Sequence, residues 1–165
     1  MIYNSLCCTA DELHVLQHDL TEGKDFTSAY FLSHHARNVL FCLQQNSSIQ
    51  VELDYSVGFF KGDNYQVGCI GISDMSHIFW PIIFNICDGE RTEHVVKMYQ
   101  HMLSLIAAIV KGIKEMFFLK DGGTAIDSAT SILIQNYVQS HVKFSPIRCQ
   151  THLFRGGFTR GGGIR

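Results

Sequence analysis

The sequence carries no strong excess of charge of either sign. Thirteen lysines and arginines stand against fifteen acids, giving a formal net charge of -2. A basic field over the whole chain is therefore absent, and any contact with nucleic acid needs a local patch. Paired-cysteine motifs are also missing. Cys7, Cys8, Cys42, Cys69, Cys87 and Cys149 include no Cys-x-x-Cys spacing, which favours reduced, mostly buried thiols over a disulfide framework. Residues 1–5 form neither a basic n-region nor the start of an apolar h-region, so no secretory signal is visible. The apolar run 79–86 is far shorter than the ~20 residues that span a bilayer. These absences predict an intracellular protein, not secreted and without membrane contact. No Asp or Glu follows Asp127.

What is present is material for a core. Hydrophobic residues make up 46% of the 165-residue chain and charged residues 17%. This suits one folded domain and excludes a disordered chain.

The local patterns divide the chain in three. Residues 1–48 read as a helical segment. Thr9-Ala10-Asp11-Glu12 has the form of a capping box and predicts a helix starting near Ala10. A second helix is predicted over 27–44, with Phe31, Val39, Leu40 and Leu43 loosely on one face. From 49 to 55 the pattern alternates. Ile49, Val51 and Leu53 fall on one face, and Gln50, Glu52 and Asp54 on the other, as in a strand. Two more strands are predicted, over 65–72 and 77–87. Pro81 inside the latter points to a bulge or an unpaired position. A long helix over 92–113 follows, with Val95, Tyr99, Met102 and Ile106 at helical spacing. Met116 to Leu119 then read as a short buried strand, 124–137 as a helix and 147–154 as a last strand. Residues 156–165, rich in glycine and arginine, are expected to be disordered. The predicted order is two helices, then β-β-β-α-β-α-β over 49–155. That is an α/β arrangement: an antiparallel meander, then parallel strands through crossover helices, giving one mixed sheet.

Two carboxylates end predicted strands: Asp54 on the first and Asp121 on the fourth. Asp is common where strands run into turns, so either alone can be structural. Together they suit phosphoryl transfer, in which two Mg²⁺ ions held ~4 Å apart activate the attacking oxygen and stabilise the leaving one. Hard carboxylate oxygens suit Mg²⁺.

Three further stretches accompany the pair. They are the strand-turn-strand from Ile70-Gly71-Ile72-Ser73-Asp74 to Phe79-Trp80-Pro81, the run Asp121-Gly122-Gly123-Thr124-Ala125-Ile126, and Cys149-Gln150-Thr151-His152. This ordered set resembles the transposase domain of Mutator-like elements, a ribonuclease-H-like family, over roughly 31–155. The resemblance implies a metal-dependent DNA strand-cleaving and strand-transferring core, nuclear and acting on transposon ends with Mg²⁺ or Mn²⁺. It leaves homo-oligomerisation open. It matches Asp54 and Asp121 to the first two catalytic, metal-binding carboxylates, and Cys149 and His152 to a Cys-x-x-His motif near the active site. It also implies that the strands bearing the two aspartates are neighbours at the sheet centre. The sequence departs from the pattern at Ser56, where the family has Thr, and at Gly58, where it has Lys. The family's third acid, a Glu beyond the Cys-x-x-His, has no counterpart here. The resemblance therefore implies an incomplete active site. The alternative is a non-catalytic, transposon-derived remnant that binds nucleic acid or protein.

Other constellations are weaker. Cys149 and His152 supply half of a zinc site without a second pair, and residues three apart on a strand point to opposite faces. Gly122-Gly123 lacks the lysine of a phosphate-binding loop. Phe79-Trp80 and Phe117-Phe118 read as core rather than as a base-stacking platform. Arg148, Arg155, Arg160 and Arg165 read as a solvated tail.

Overall fold

The computed structural model describes residues 14–20, 26–44, 46–57, 65–74, 76, 78–120, 123–136 and 141–148. Seven strands and three helices follow in the order β1 (His14–Leu20), β2 (Phe26–Leu32), α1 (Ala36–Cys42), β3 (Ser48–Val57), β4 (Gln66–Ser73), β5 (Phe79–Cys87), α2 (Thr92–Ile109), β6 (Glu115–Lys120), α3 (Thr124–Asn136) and β7 (Lys143–Arg148). The strands form one mixed sheet ordered β1-β2-β5-β4-β3-β6-β7. The predicted meander is β3-β4-β5, antiparallel throughout. β6 and β7 then add in parallel beside β3, each reached through a helix, as parallel neighbours require.

The two helices expected ahead of the meander are not what those residues form. Residues 14–20 and 26–32 are strands, paired antiparallel with each other, and β2 extends the sheet by pairing with β5. Only 36–42 of the second predicted helix is helical. The reason is long-range pairing. Ser28, Tyr30 and Leu32 alternate onto the buried face, and β5 offers a free edge from Cys87 to Ile83. Hydrogen bonds from a partner far along the chain outweigh a loose helical spacing. The capping-box residues 9–12 lie outside the described residues. So do Asp121, Cys149, His152 and the tail 156–165.

All three helices pack on one face of the sheet, α1 and α3 both touching α2. The buried core on this face includes Val51, Ile70 and Ile83 from the meander, Phe118 from β6, and Val95, Met98 and Met102 from α2. Tyr99 meets Phe118 edge-on at 5.3 Å between ring centres, and Phe144 of β7 stacks on Phe118 at 5.7 Å. Tyr99 also shares a buried hydrogen bond of 3.2 Å with Thr130 of α3, whose hydroxyl donates to the Ile126 carbonyl at 2.7 Å. Thr130 thus has a polar reason for its buried place.

Proline positions follow the ladder. Pro81 faces Gly71 where the β4–β5 register shifts, and β2 has stopped pairing by then, so its missing N–H leaves no ladder bond unmade. The last strand begins earlier than expected and is described over 143–148; the rest of the predicted strand, 149–154, lies outside the described residues. Pro146 lies within β7, tolerated because among the described residues this strand is an edge paired only with β6.

Candidate functional site

Strands β3, β5, β6 and β7 run in one direction, so their carboxyl ends share one edge of the sheet. Open α/β sheets place ligands at that edge. Asp54 does not end its strand as expected: β3 pairs on with β4 through Val57, so Asp54 lies within the carboxyl-terminal half of β3. Its neighbours in the sequence alternation, Leu53 inward and Glu52 outward, put it on the face away from the helices, where it is exposed. β3 and β6 are adjacent and in register from Ser48↔Glu115 to Glu52↔Leu119. Asp54 follows Glu52 by two positions, and Asp121 follows Leu119 by two in the sequence. The structure therefore brings together β3, which carries Asp54, and β6, which ends at Lys120, one residue before Asp121 in the sequence; Asp121 itself lies outside the described residues.

Across the other side of β3, Asp54 stands opposite Cys69 of β4. Burial, and secondly the Asp54 charge, push the Cys69 thiol up to about 12. Among the described residues Asp54 has no lysine or arginine partner. An exposed carboxylate without a cation is chemically suited to a hard divalent ion, although one carboxylate alone makes no site. Among the described residues no group of three or more His, Cys, Asp or Glu side chains is placed to hold a metal.

Glu52 shares the outward face of β3. Its carboxylate accepts the Gln50 amide at 2.8 Å and, in a short bond, the Ser73 hydroxyl. Sequence alternation puts Gln50, Glu52 and Asp54 on one face, but the bond to Ser73 depends on the β3–β4 register, which pairs Gln50 with Ser73.

The rest of the edge is a mixture of charges. Lys120, the last residue of β6, lies 2.5 Å from Asp127 in the first turn of α3, and Arg148, ending β7, lies 3.7 Å from the same carboxylate. Arg91, before α2, pairs with Asp88 at 2.5 Å and Glu93 at 3.7 Å. Among the described residues, each of these three cations has an acidic partner.

The Ser73-Asp74 stretch has a structural explanation. Asp74 accepts the backbone N–H of Ser76 at 2.8 Å and of Ile78 at 3.0 Å, and the Trp80 indole N–H at 3.2 Å. The carboxylate organises the β4–β5 turn in the manner of Asp in local side-chain turns. It also fixes Trp80, which is 40% exposed beside Phe79 at 37%. These two aromatics are not core, contrary to the sequence expectation. Phe118 is, at 1% exposed. Of the cysteines, the described ones (exposed Cys42, half-buried Cys69 and buried Cys87) are free thiols. Among the described residues no helix is long and apolar enough to cross a membrane.

No family model matches this chain, and no curated protein or solved structure matches it.

Proposed function

We propose that this chain is a ribonuclease-H-like domain of the Mutator-like transposase kind, in which Asp54 and Asp121 bind a divalent metal ion for phosphoryl transfer on DNA. The observation that carries this reading is the strand order β5-β4-β3-β6-β7. It is a meander followed by two parallel strands, with the Asp54-bearing strand beside the one that leads into Asp121. Asp54 adds a carboxylate that has no lysine or arginine partner among the described residues, close to the edge where open α/β sheets place ligands. Mg²⁺ or Mn²⁺ there would draw the phosphate in and polarise it. The domain would act in the nucleus, on transposon ends.

The charge of the edge gives the metal a second task. Because Lys120, Arg148 and Arg91 are matched by Asp127, Asp88 and Glu93, the described part of the edge offers a polyanion little net attraction. DNA binding there is then metal-dependent.

A non-catalytic remnant is the second reading. It applies if no third acid joins Asp54 and Asp121; residues 128–165 contain no Asp or Glu. Two measurements separate the readings. Mn²⁺ titration is expected to show binding that weakens in Asp54→Ala and in Asp121→Ala. Equal binding by all three proteins would falsify the metal pair. Nicking of supercoiled DNA in Mn²⁺, abolished by either substitution, selects the enzyme; metal binding without nicking selects the remnant.

A further inference from the structure

A pocket of about 380 Å³ opens on the helix-bearing face between α1 and the start of β5, within the roughly 300–1,000 Å³ of small-molecule sites. Val39, Leu43 and Ile72 give it an apolar floor, and His35, Asn38 and Trp80 give it its aromatic and polar walls. Trp80 is the chain's only tryptophan. Its indole N–H is held by Asp74 at 3.2 Å, and that carboxylate is itself anchored by two backbone N–H groups. The ring is thus fixed in place while 40% exposed. A rigid, half-exposed indole costs little ordering when a flat ring stacks on it. Asn38 is exposed and its carboxamide makes no hydrogen bond among the described residues. That side chain offers a donor and an acceptor side by side, the pair that matches the N6 amino group and N7 of adenine. Among the described residues no lysine or arginine lines the pocket, and the one charged group that does is the Asp74 carboxylate, so its chemistry selects a base rather than a phosphate.

We propose that this pocket binds a nucleobase, adenine best, stacked on Trp80 and read by Asn38. The site is independent of the metal reading. Trp80 pairs with Ile72, three residues along β4 from Cys69, and the pocket opens on the helix face, whereas Asp54 pairs with Cys69 on the other face. The base can belong to a free nucleoside or to a nucleic-acid strand.

Trp80 reports on its own site by fluorescence. Titration of the full chain with adenosine, cytidine, phenol and a short oligodeoxyadenylate is expected to give saturable quenching that is tightest for the adenine probes. Asn38→Ala, an exposed change confirmed as folded by circular dichroism, is expected to weaken adenosine by about ten-fold or more, the scale of a lost bidentate amide–base pair. Asp54→Ala is expected to leave the titration unchanged, so this result and the metal result fail separately. Tighter binding per base by the oligomer assigns the base to a strand; tighter binding by adenosine assigns it to a nucleoside. Absence of saturable quenching, equal affinity for phenol, or an unchanged Asn38→Ala titration overturns the proposal.

Discussion

Asp54 and Cys69 face each other across the antiparallel β3–β4 pair, and the thiol answers to the carboxylate. Burial first, and the Asp54 charge second, push Cys69 up to about 12. The thiol stays protonated at neutral pH and is a poor nucleophile. Asp54→Asn removes the second cause and leaves the first. The pH midpoint for alkylation of Cys69, followed by peptide mass spectrometry, is expected to fall while remaining above that of an ordinary thiol. An unmoved midpoint would show that the charge does not reach the sulfur.

Stability is expected to decline on the alkaline side. Burial leads the causes that raise Tyr55, Cys69 and Cys87 above their ordinary values. Each holds its proton more tightly folded than unfolded. Their contribution is therefore complete below the unfolded thiol value of about 8.5 and is lost as pH rises beyond it. Urea midpoints between neutral and strongly alkaline pH test this, and a flat profile would contradict it.

The acid side has a different source. Lys143, at 2.7 Å, and the Ser145 hydroxyl, at 3.0 Å, hold the Glu115 carboxyl below its usual range. That contribution is present above about pH 4.3, the unfolded value, and is lost as pH falls through the lower folded one. In Glu115→Gln the acid limb of the stability curve is expected to be shallower than in the wild type.

Two glycines make room for specific neighbours. A Cβ on Gly68 would lie 2.5 Å from the Tyr55 ring, and one on Gly71 would lie 2.2 Å from the Trp80 carbonyl oxygen. The Tyr55 ring can swing aside, losing its 3.2 Å bond to Asn85, whereas backbone cannot yield as cheaply. Gly68→Ala is expected to cost about 1–3 kcal/mol, as overpacked sites do, and Gly71→Ala more. Chemical denaturation gives the order, and the reverse ranking would show that the β4–β5 backbone yields more readily than the Tyr55 ring.

The Lys120–Asp127 pair is unequal. The Lys120 side chain is 13% exposed and that of Asp127 32%, with Arg148 as a further partner at 3.7 Å. Asp127→Ala strands a nearly buried ammonium and is expected to cost on the order of 1–3 kcal/mol. Lys120→Met leaves a carboxylate that keeps Arg148 and the α3 N-terminus, and is expected to cost less than Asp127→Ala. Equal losses in thermal melts of the two variants would count against this asymmetry.

Much of the sheet was legible because its patterns are local. Alternation marks β3, Val95 to Ile106 at helical spacing marks α2, and the short apolar run before Asp121 marks β6. Pro81 announced the register shift it lies beside. The N-terminal strands were not legible, since Phe26–Leu32 carries an ambiguous period and its hydrogen-bond partners lie on β5, more than fifty residues away.

The candidate site divides the same way. Residue types and order alone determined that Asp54 and Asp121 follow strand patterns, and that Gln50, Glu52 and Asp54 share a face. Pairing decided the rest: that β3 adjoins β6, that Cys69 lies under the charge of Asp54, that Ser73 binds Glu52, and that Trp80 is held at the surface by Asp74. A two-residue period fixes which face a side chain takes, but only the register of strands distant in sequence decides what stands opposite it.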